Sequence, residues 1–433
     1  MPSTVPAATP GTPPAAPHQP LLHWFLPTGG DGRDPGGVTA VQGRTGAATR
    51  RPADIGYLSQ VARAAEQAGF HSLLTPVGLG CVDPWILTAA LAQHTDRIGF
   101  LVAFRAGFAS PTLLAQQADA FRRFAGGRLR LNVVTGGDPA EQRAYGDHLA
   151  HDERYARTAE LMAALRTLLA GAEAGHEGTH FRLQGARLVD PAVEYPVPLY
   201  FGGASPAAED VAARHADVQL LWGEPPSAIA ERIARLRAKA DAADRVAASP
   251  HAGAPLRFGL RLHVISRDTA AEAWAEADRI LSRLDPAAVR ASQERFARMD
   301  SVGQARMAAL HGGSADAAKL EISPNLWAGI GLVREGAGTA LVGSHDEVAR
   351  RLHEYRALGV DEFVLSGYPH LEEAYRVGEE VAPRLRALVD APDPAPDGLP
   401  ATAPSAPAAA PGSPTSAAPA PATAAATAEA ARA

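Results

Sequence analysis

Short apolar runs alternate with longer stretches of helical periodicity between about residues 21 and 389. The runs lack strict alternation of apolar and polar residues, which is typical of parallel strands buried on both faces. Eight runs predict strands: HWFLP (23–27), HSLLTP (71–76), RIGFLVAF (97–104), RLRLNVVTG (128–136), PLYFGG (198–203), DVQLLWG (217–223), FGLRLHVIS (258–266) and EFVLSGY (362–368). This βα rhythm predicts an α/β fold, the TIM (β/α)8 barrel. An open doubly wound sheet is the alternative, but the count of eight and the absence of a GxGxxG turn favour the barrel.

Two segments interrupt the βα rhythm. Residues 177–190, EGTHFRLQGARLVD, predict a hairpin before the fifth strand. Residues 284–344 form a long insertion before the last strand. A long insertion on a barrel is usually a lid over the active site or a packing element. We therefore expect one barrel domain at 21–389, with insertion segments at its C-terminal mouth.

Polar and aromatic side chains collect at the C-terminal ends of the predicted strands, where the active sites of TIM barrels lie. Arg261 and His263 are two residues apart in the seventh strand, so they face the same side of it. The other candidates near strand ends are Cys81, Asn132, Thr135, Trp222, Tyr368 and His370.

A purely structural explanation is open for several of these residues. Charge inside a barrel is costly unless it is paired or engages a ligand, so Arg261 indicates either an internal salt bridge or an anionic ligand. The strands contain few carboxylates, which favours the ligand. Tyr368 and His370, in the sequence GYPH, could make local hydrogen bonds only. A lone cysteine such as Cys81 is more often an inert apolar residue than a reactive one.

A glycine-rich turn, GGAS (202–205), predicts phosphate binding at the end of the fifth strand. Such turns at helix N-termini bind phosphate through backbone N–H groups and the helix dipole, although serine caps of this kind are common. NVVTG (132–136) and HDERY (151–155) offer further donors. Arg334, among the glycines of the insertion, is either an arginine that closes over an anionic substrate or a solvated one. The chain has no zinc-binding or P-loop motif.

Composition limits the remaining classes of function. The 433 residues carry a net charge of −6, with no basic stripe for nucleic acid and no acidic block. The single cysteine excludes an internal disulfide. No apolar run is long enough to span a bilayer and the N-terminus lacks the features of a secretory signal, which predicts a soluble cytoplasmic protein. Segments 1–20 and 390–433 are rich in Ala, Pro, Ser and Thr and predict disorder.

Nine stretches of the chain carry a family resemblance that extends from about residue 22 to 389. They closely resemble the flavin-dependent alkanesulfonate monooxygenases of the bacterial-luciferase-like superfamily. The resemblance implies a two-component monooxygenase on a TIM barrel. It would use oxygen and reduced FMN, which a separate NAD(P)H-dependent FMN reductase supplies, to convert an alkanesulfonate into an aldehyde and sulfite. It also implies a homo-oligomer, often a tetramer. The stretches are WFLPTGGDG, LLTPVGLGCVDPW, NVVTGGDP, HDERY, PLYFGGAS, LLWGEPP, FGLRLHVI, ISPNLWAGIGLVREGAGTALVG and FVLSGYPHLEEAYRVGE.

The same resemblance implies roles for individual residues. The implied active-site residues are Cys81, Arg261, His263, Tyr368 and His370. Arg261 and Arg334 would bind the sulfonate, with Arg334 on the lid and Trp222 lining the pocket. Tyr368 and His263 would donate hydrogen bonds to the reacting groups. The implied flavin-binding residues are Asn132 and Thr135 near the ring or ribityl chain, and Tyr155, Gly203, Ala204 and Ser205 at the phosphate.

Two departures from the family pattern leave alternatives open. The pattern near the first strand is commonly PTHGDG, whereas this chain reads PTGGDG, so Gly29 replaces an imidazole. The loop at about 34–51 is longer than expected and could alter the substrate range. The alternatives are a related monooxygenase acting on methanesulfonate or a sulfone, a flavin-binding barrel without catalysis, and a deazaflavin-dependent dehydrogenase on the same barrel.

Overall fold

The computed structural model describes residues 19–35, 38–39, 43–44, 51–243, 254–314 and 316–391. Most of the two terminal segments for which disorder is predicted, and most of the long loop at 34–51, lie outside the described residues. Within the described part of the chain, no helix is both long and apolar enough to cross a membrane.

Eight parallel strands form a closed barrel, as predicted. Every strand overlaps one of the eight apolar runs, and the ring closes through pairing of the sixth strand with the seventh, which makes the open-sheet alternative wrong. The order around the ring is β6–β5–β4–β3–β2–β1–β8–β7. The strands are β1 (Leu21–Phe25), β2 (Ser72–Thr75), β3 (Gly99–Arg105), β4 (Leu129–Val134), β5 (Leu199–Gly202), β6 (Val218–Trp222), β7 (Arg257–Arg267) and β8 (Glu362–Ser366).

Helices surround the barrel and bury its outer wall in one large apolar core. Asp54, Asp83, Ser110 and Ser205 each accept a backbone N–H at a helix start, which satisfies donors that a helix leaves unpaired. The helices are α1 (Ile55–Gln67), α2 (Pro84–Leu91), α3 (Pro111–Phe124), α4 (Pro139–Ala144), α5 (His151–Leu169), α6 (Pro206–His215), α7 (Pro226–Ala242), α8 (Ala270–Ser282), α9 (Pro286–Phe296), α10 (Val302–His311), α11 (Ala317–Leu320), α12 (His345–Ala357), α13 (His370–Arg376) and α14 (Ala382–Asp390).

Alternation along β7 and β8 separates the outer wall from the barrel interior. Leu260, Leu262 and Val264 of β7 pack into the core beneath the helices. The intervening residues Arg261 and His263 are also buried and contact polar groups of β8. The pairing of β7 with β8 aligns Arg261 with Val364 and His263 with Ser366. This register places the two predicted site residues of β7 beside the end of β8.

A buried polar cluster fills the other end of the barrel. Glu362 accepts a hydrogen bond from Tyr200 Oη at 2.7 Å and pairs with His23 Nε2 at 3.0 Å and Arg257 Nη1 at 2.6 Å. Burial opposes ionisation of Glu362, but His23, Arg257 and Tyr200 outweigh it and lower its pKa to about 2. The ionised Glu362 and its hydrogen-bonding partners therefore fill the interior of the barrel at the end opposite the active site.

Both predicted insertions contain regular structure. An antiparallel hairpin, Ala174–Glu177 and Arg182–Ala186, lies before β5 and begins slightly earlier than the sequence predicts. The region 284–344 contains α9 to α11 and the short strands Glu321–Ser323 and Leu326–Trp327. It ends in strand Ala340–Ser344, which pairs with the C-terminal half of β7 in parallel. This insertion thus extends the sheet beside β7. A further short hairpin, Val38–Thr39 and Gly43–Arg44, follows β1.

Candidate active site

A cavity of about 260 Å³ lies at the C-terminal ends of the barrel strands. Its walls are largely apolar and include Phe25, Leu74 and Leu220. Residues 299, 301–303 and 334–337 of the insertion close one side, where the indole of Trp222 packs against Gly303. The predicted site residues that line this cavity are Asn132, Thr135, Tyr155, Gly203, Ala204, Trp222, Arg261 and Arg334.

Two arginines meet on the aromatic ring of Phe25 at one end of the cavity. The Cζ atoms of Arg261 and Arg334 lie 4.7 and 5.1 Å from the ring centroid. Among the described residues, no carboxylate oxygen lies within 4.0 Å of either guanidinium, so the internal salt bridge that the sequence left open is not formed. Burial, and then the charge of Arg334, lower the pKa of Arg261 well below its ordinary value. This end of the cavity therefore presents two adjacent cations that lack a protein anion.

A hydrogen-bonded chain fixes Arg261 and His263 to the end of β8. Nη2 of Arg261 donates to Ser366 Oγ at 2.8 Å, and Ser366 Oγ lies 2.8 Å from His263 Nδ1. Nε2 of His263 donates to the carbonyl of Ala337 at 3.1 Å. Burial, with the charges of Arg261 and Arg334, lowers the pKa of His263 well below its usual range, so the imidazole is neutral. Both of its ring nitrogens are engaged by the protein, which leaves it no free N–H for the donor role expected from the sequence.

Tyr368 covers the same region from the loop after β8. Its ring stacks on His263 with centroids 5.5 Å apart and an interplanar angle of 14°. The side chain of Arg334 hydrogen-bonds to its hydroxyl, yet burial dominates and raises the pKa of Tyr368. The phenol thus keeps its proton and links Arg334 of the insertion to the barrel.

His370 begins α13 and lies edge-on to Tyr368, with ring centroids 5.1 Å apart. Its Nδ1 is 2.9 Å from Asp31 Oδ1. His370 and Tyr368 line a second, smaller cavity of about 30 Å³ together with Thr28, Gly29 and Arg334. Arg334 and Phe25 border both cavities, so the small cavity adjoins the large one. Gly29 occupies the wall where the family pattern would place an imidazole.

Cys81 lies in the loop after β2, and it is not among the residues that line either cavity. Its backbone N–H donates to the carbonyl of Gly78 at 3.0 Å, and its side chain hydrogen-bonds with Thr28, which lines the small cavity. Burial raises the pKa of the Cys81 thiol, so it is a neutral thiol and not a nucleophilic thiolate. Cys81 therefore contacts Thr28, which lines the small cavity, but does not itself line either cavity.

Another part of the large cavity adjoins the N-terminus of α6, which attracts anions. Ser205 caps α6, accepting the N–H of Ala208 at 3.2 Å, and its side chain also hydrogen-bonds with Tyr155. Ser205 itself is not among the lining residues, whereas Gly203 and Ala204 are. The φ angle of Gly203 is +152°, and a Cβ there would lie 2.5 Å from the Cβ of Ala208. Only glycine fits this close approach to the N-terminus of α6.

This arrangement fits flavin mononucleotide. The cavity joins an apolar chamber, which suits a flat aromatic ring, to a helix N-terminus that suits a phosphate. Asn132 and Thr135 line the same cavity. Thr135 Oγ1 is 3.1 Å from Thr158 Oγ1, which fixes its side chain. The residues that could hold the cofactor are Asn132, Thr135, Tyr155, Gly203 and Ala204, with Ser205 acting through Tyr155 and α6.

The segment that carries Arg334 is held by the insertion helices. Glu335 pairs with Arg295 of α9 at 2.9 Å, and the N–H of Gly336 donates to Gln304 Oε1 of α10 at 2.9 Å. Burial raises the pKa of Glu335 even though Arg295 opposes this effect. The position of Arg334 therefore depends on contacts that its neighbours make with α9 and α10.

Sequence reasoning missed Phe25, Asp31 and Ser366. Phe25 forms the shared contact of the two arginines, and no sequence pattern indicates this. Ser366 is two residues after Val364 of β8, which packs inside the barrel, so strand alternation could have placed it on the same side. Asp31 lies in the stretch PTGGDG that carries part of the resemblance, but its partner His370 is 339 residues away.

Comparisons with known proteins agree with the fold. The model of the luciferase-like monooxygenases matches residues 23–362. Among solved structures, riboflavin lyase is 21% identical with a TM-score of 0.65, and the match covers 87% of this chain and 93% of that one. EDTA monooxygenase from Chelativorans sp. BNC1 is 20% identical with a TM-score of 0.64, covering 87% and 95%. DmoA from Hyphomicrobium sulfonivorans is 20% identical with a TM-score of 0.63, covering 87% and 90%.

At these identities the solved structures show a shared fold only, whereas the family model covers most of the chain. The chain belongs to the luciferase-like monooxygenase family of flavin-dependent oxidoreductases.

Proposed function

We propose that this protein is a two-component flavin monooxygenase that converts an alkanesulfonate into an aldehyde and sulfite. The observation that carries the proposal is the pair Arg261 and Arg334, which meet on Phe25 with no carboxylate within 4.0 Å among the described residues. A sulfonate is a permanent anion, and arginine is a permanent cation under ordinary conditions. A bound sulfonate would neutralise the charge that the protein leaves uncompensated.

A neutral substrate is less suited to this site. A sulfone would leave both cations buried beside each other without an anion, which is costly. A carboxylate would also compensate the charge, but the resemblance of the sequence to alkanesulfonate monooxygenases favours the sulfonate. The geometry thus supports an anionic substrate, and the resemblance narrows that anion to a sulfonate.

FMN, when bound in its reduced form, supplies the two electrons and two hydrogens that the reduction of oxygen requires. The overall reaction would be RCH2SO3⁻ + O2 + FMNH2 → RCHO + HSO3⁻ + FMN + H2O. The residues that would hold FMN are Asn132, Thr135, Tyr155, Gly203, Ala204 and Ser205. A separate NAD(P)H-dependent FMN reductase would deliver the reduced flavin, as the family resemblance implies.

The protein would bind, orient and shield the reactants. Arg261 and Arg334 would hold the sulfonate, while Tyr368, which keeps its proton, can donate a hydrogen bond to an oxygen that gains charge. His263 would act indirectly, since its nitrogens hold Ser366 and the carbonyl of Ala337 in place. Residues 301–303 and 334–337 would exclude water from the large cavity.

Sulfite release tests the proposal. The purified protein is mixed with an independent flavin reductase, FMN, NADPH, oxygen and a panel of alkanesulfonates of increasing chain length. Sulfite is then followed with a thiol reagent. We expect sulfite that depends on this protein and that is lost with Arg261→Met. Tight binding of reduced FMN without sulfite from any sulfonate would exclude the proposed reaction and favour a flavin-carrier role.

A related substrate, methanesulfonate, is the second candidate. The small cavity beside Tyr368 and His370 is about 30 Å³, and Gly29 contributes no side chain to it. A single water needs roughly 10–15 Å³ by the same measure, so this space is small and would suit a short alkyl group better than a long one. Faster sulfite release from methanesulfonate than from the longer members of the panel would support this candidate.

The proposed function comes with an expected assembly and an expected cellular location. We expect a homo-oligomer, with a tetramer as the first hypothesis from the family resemblance, and a cytoplasmic location. Light scattering of the purified full chain would determine the assembly. A monomeric mass at micromolar concentration would contradict the expected assembly.

A further inference from the structure

Asp31 is a buried carboxylate in the loop after β1 that receives four hydrogen bonds. Oδ1 accepts from His370 Nδ1–H at 2.9 Å and from the N–H of Gly32 at 2.9 Å. Oδ2 accepts from the backbone N–H of His370 at 2.8 Å and from the hydroxyl of Tyr57. Arg51 contacts Tyr57 from the far side and pairs with Glu372. Asp31 is thus surrounded by donors.

This donor set determines the protonation of Asp31. Burial alone would raise its pKa, but the charge and hydrogen bonds of His370, together with Tyr57, hold it below the ordinary value. Asp31 is therefore ionised and can only accept hydrogen bonds. Because Asp31 cannot donate, the nitrogen of His370 that faces it must carry the proton, which fixes the Nδ1–H tautomer.

Whenever His370 carries a single proton, the same constraint leaves the lone pair on Nε2, at the opposite edge of the ring. Nε2 is buried and has no hydrogen-bond partner within the described residues. His370 lines the small cavity, where the other polar groups include Tyr368, Arg334, Thr28 and Asp34. Of these, the protonated phenol of Tyr368 and the guanidinium of Arg334 are donors, and Gly29 contributes no imidazole. Nε2 is thus the imidazole base that adjoins this cavity.

We propose that Asp31 is a positioning residue that fixes the tautomer of His370, and that His370 Nε2 accepts a proton from the oxygenated substrate. The second part rests on the proposed function. Oxygenation of the sulfonate-bearing carbon yields a 1-hydroxyalkanesulfonate. His370 Nε2 takes the hydroxyl proton, the O–H electron pair forms the second carbon–oxygen bond, and sulfite leaves with the electron pair of the C–S bond. Neither oxidant nor reductant is consumed in this step.

The tautomer can be observed directly without flavin or turnover. Two-bond ¹H–¹⁵N spectra of the histidine-labelled full chain distinguish Nδ1–H from Nε2–H imidazoles, and the signal of His370 is the one that His370→Asn removes. We expect Nδ1–H in the wild type. In Asp31→Asn the side-chain amide can donate to Nδ1, so Nε2–H is expected. A singly protonated ring with its proton on Nε2 in the wild type would overturn the positioning role, and this result needs no folded Asp31 variant.

The proton transfer can be tested without oxygenation, because 1-hydroxyalkanesulfonates form from an aldehyde and bisulfite. Their breakdown is followed as sulfite release, in the presence of oxidised FMN and with no reductant. We expect the wild type to accelerate it, and Asp31→Asn and His370→Asn each to lower that acceleration by about 100-fold, the lower range for general-base catalysis. His345→Asn, the control, removes a buried histidine of α12 that lines neither cavity, and it should change the rate by less than about threefold.

The double variant separates a positioning role from a structural one. If Asp31 acts through His370, adding Asp31→Asn to His370→Asn should cause no further loss. An equal loss in both backgrounds, or a wild-type rate no higher than that of His370→Asn, would overturn the proposal. Breakdown of the hydroxysulfonate without sulfite from any alkanesulfonate would instead refute the proposed oxygenation and leave the role of His370 intact.

Discussion

Replacing Arg261 with methionine should change activity and stability very differently. The sulfonate would lose a buried cation. Truncating one partner of a buried, hydrogen-bonded charge pair costs about 2–5 kcal/mol, which corresponds to a loss of about 30- to 4,000-fold in kcat/KM. The three acceptors of Arg261 are Ser366 Oγ and the carbonyls of Leu262 and Val364, and they belong to the protein itself.

The stability of the free protein should hardly change, because two effects oppose each other. Both guanidiniums lie within about 5 Å of the Phe25 centroid, so the charges are less than about 10 Å apart and repel by about 2 kcal/mol at an effective dielectric constant of 20. Removal of Arg261 relieves this repulsion. It also removes three hydrogen bonds from a charged donor, worth about 1.5–3 kcal/mol each, and with them the cost of keeping an uncompensated cation buried, which is of similar size. The net change in unfolding free energy should be within about 1 kcal/mol.

Arg122 provides the matched control. It is equally buried, but its Nη2 pairs with Asp119 at 2.7 Å and its Nη1 donates to the carbonyl of Tyr195 at 2.9 Å. Breaking a buried pair costs about 3–5 kcal/mol, so Arg122→Met should lower the unfolding free energy by about that amount. Urea denaturation measures both variants, and sulfite release over a range of sulfonate concentrations measures kcat/KM. The reasoning is refuted if Arg261→Met destabilises as much as Arg122→Met, or if it keeps activity within threefold.

Three further predictions concern the lid, the phosphate end and the base of the barrel. Arg334→Ala should lower kcat/KM for the sulfonate at least tenfold while the Kd of FMN, measured by fluorescence, stays within threefold; a collapse of FMN binding would contradict the lid role. Gly203→Ala should weaken FMN binding at least tenfold, because its Cβ would lie 2.5 Å from that of Ala208; unchanged affinity would exclude the phosphate site. The folded pKa of Glu362 is about 2 and its unfolded pKa ~4.3, so it stabilises the fold by roughly 3 kcal/mol above pH ~4.3, and this contribution is lost as pH falls towards 2. Urea midpoints of the wild type and Glu362→Gln should therefore differ more at pH 7 than at pH 3, and an equal difference would show that the ionised carboxylate is not what stabilises the cluster.

The sequence determined the barrel and the end at which its site lies. All eight apolar runs are strands, because a strand buried on both faces needs a continuous apolar sequence wherever it lies in the ring. Alternation of side chains placed Arg261 and His263 on one side of β7, since this periodicity is a local property of an extended backbone. The sequence could not show whether Arg261 was paired with a carboxylate.

The tertiary structure decided which groups meet and therefore what each can do. Closure of the ring sets the register of β7 against β8, which brings Ser366 between Arg261 and His263 and occupies the nitrogens of that imidazole. Docking of α13 beside β1 brings His370 to Asp31 across 339 residues of chain. Contacts of this kind depend on how whole helices and strands pack together, and they produce no periodic pattern in the local sequence. The residue types were therefore readable from the sequence, whereas their charge states and hydrogen-bonding partners followed only from the fold.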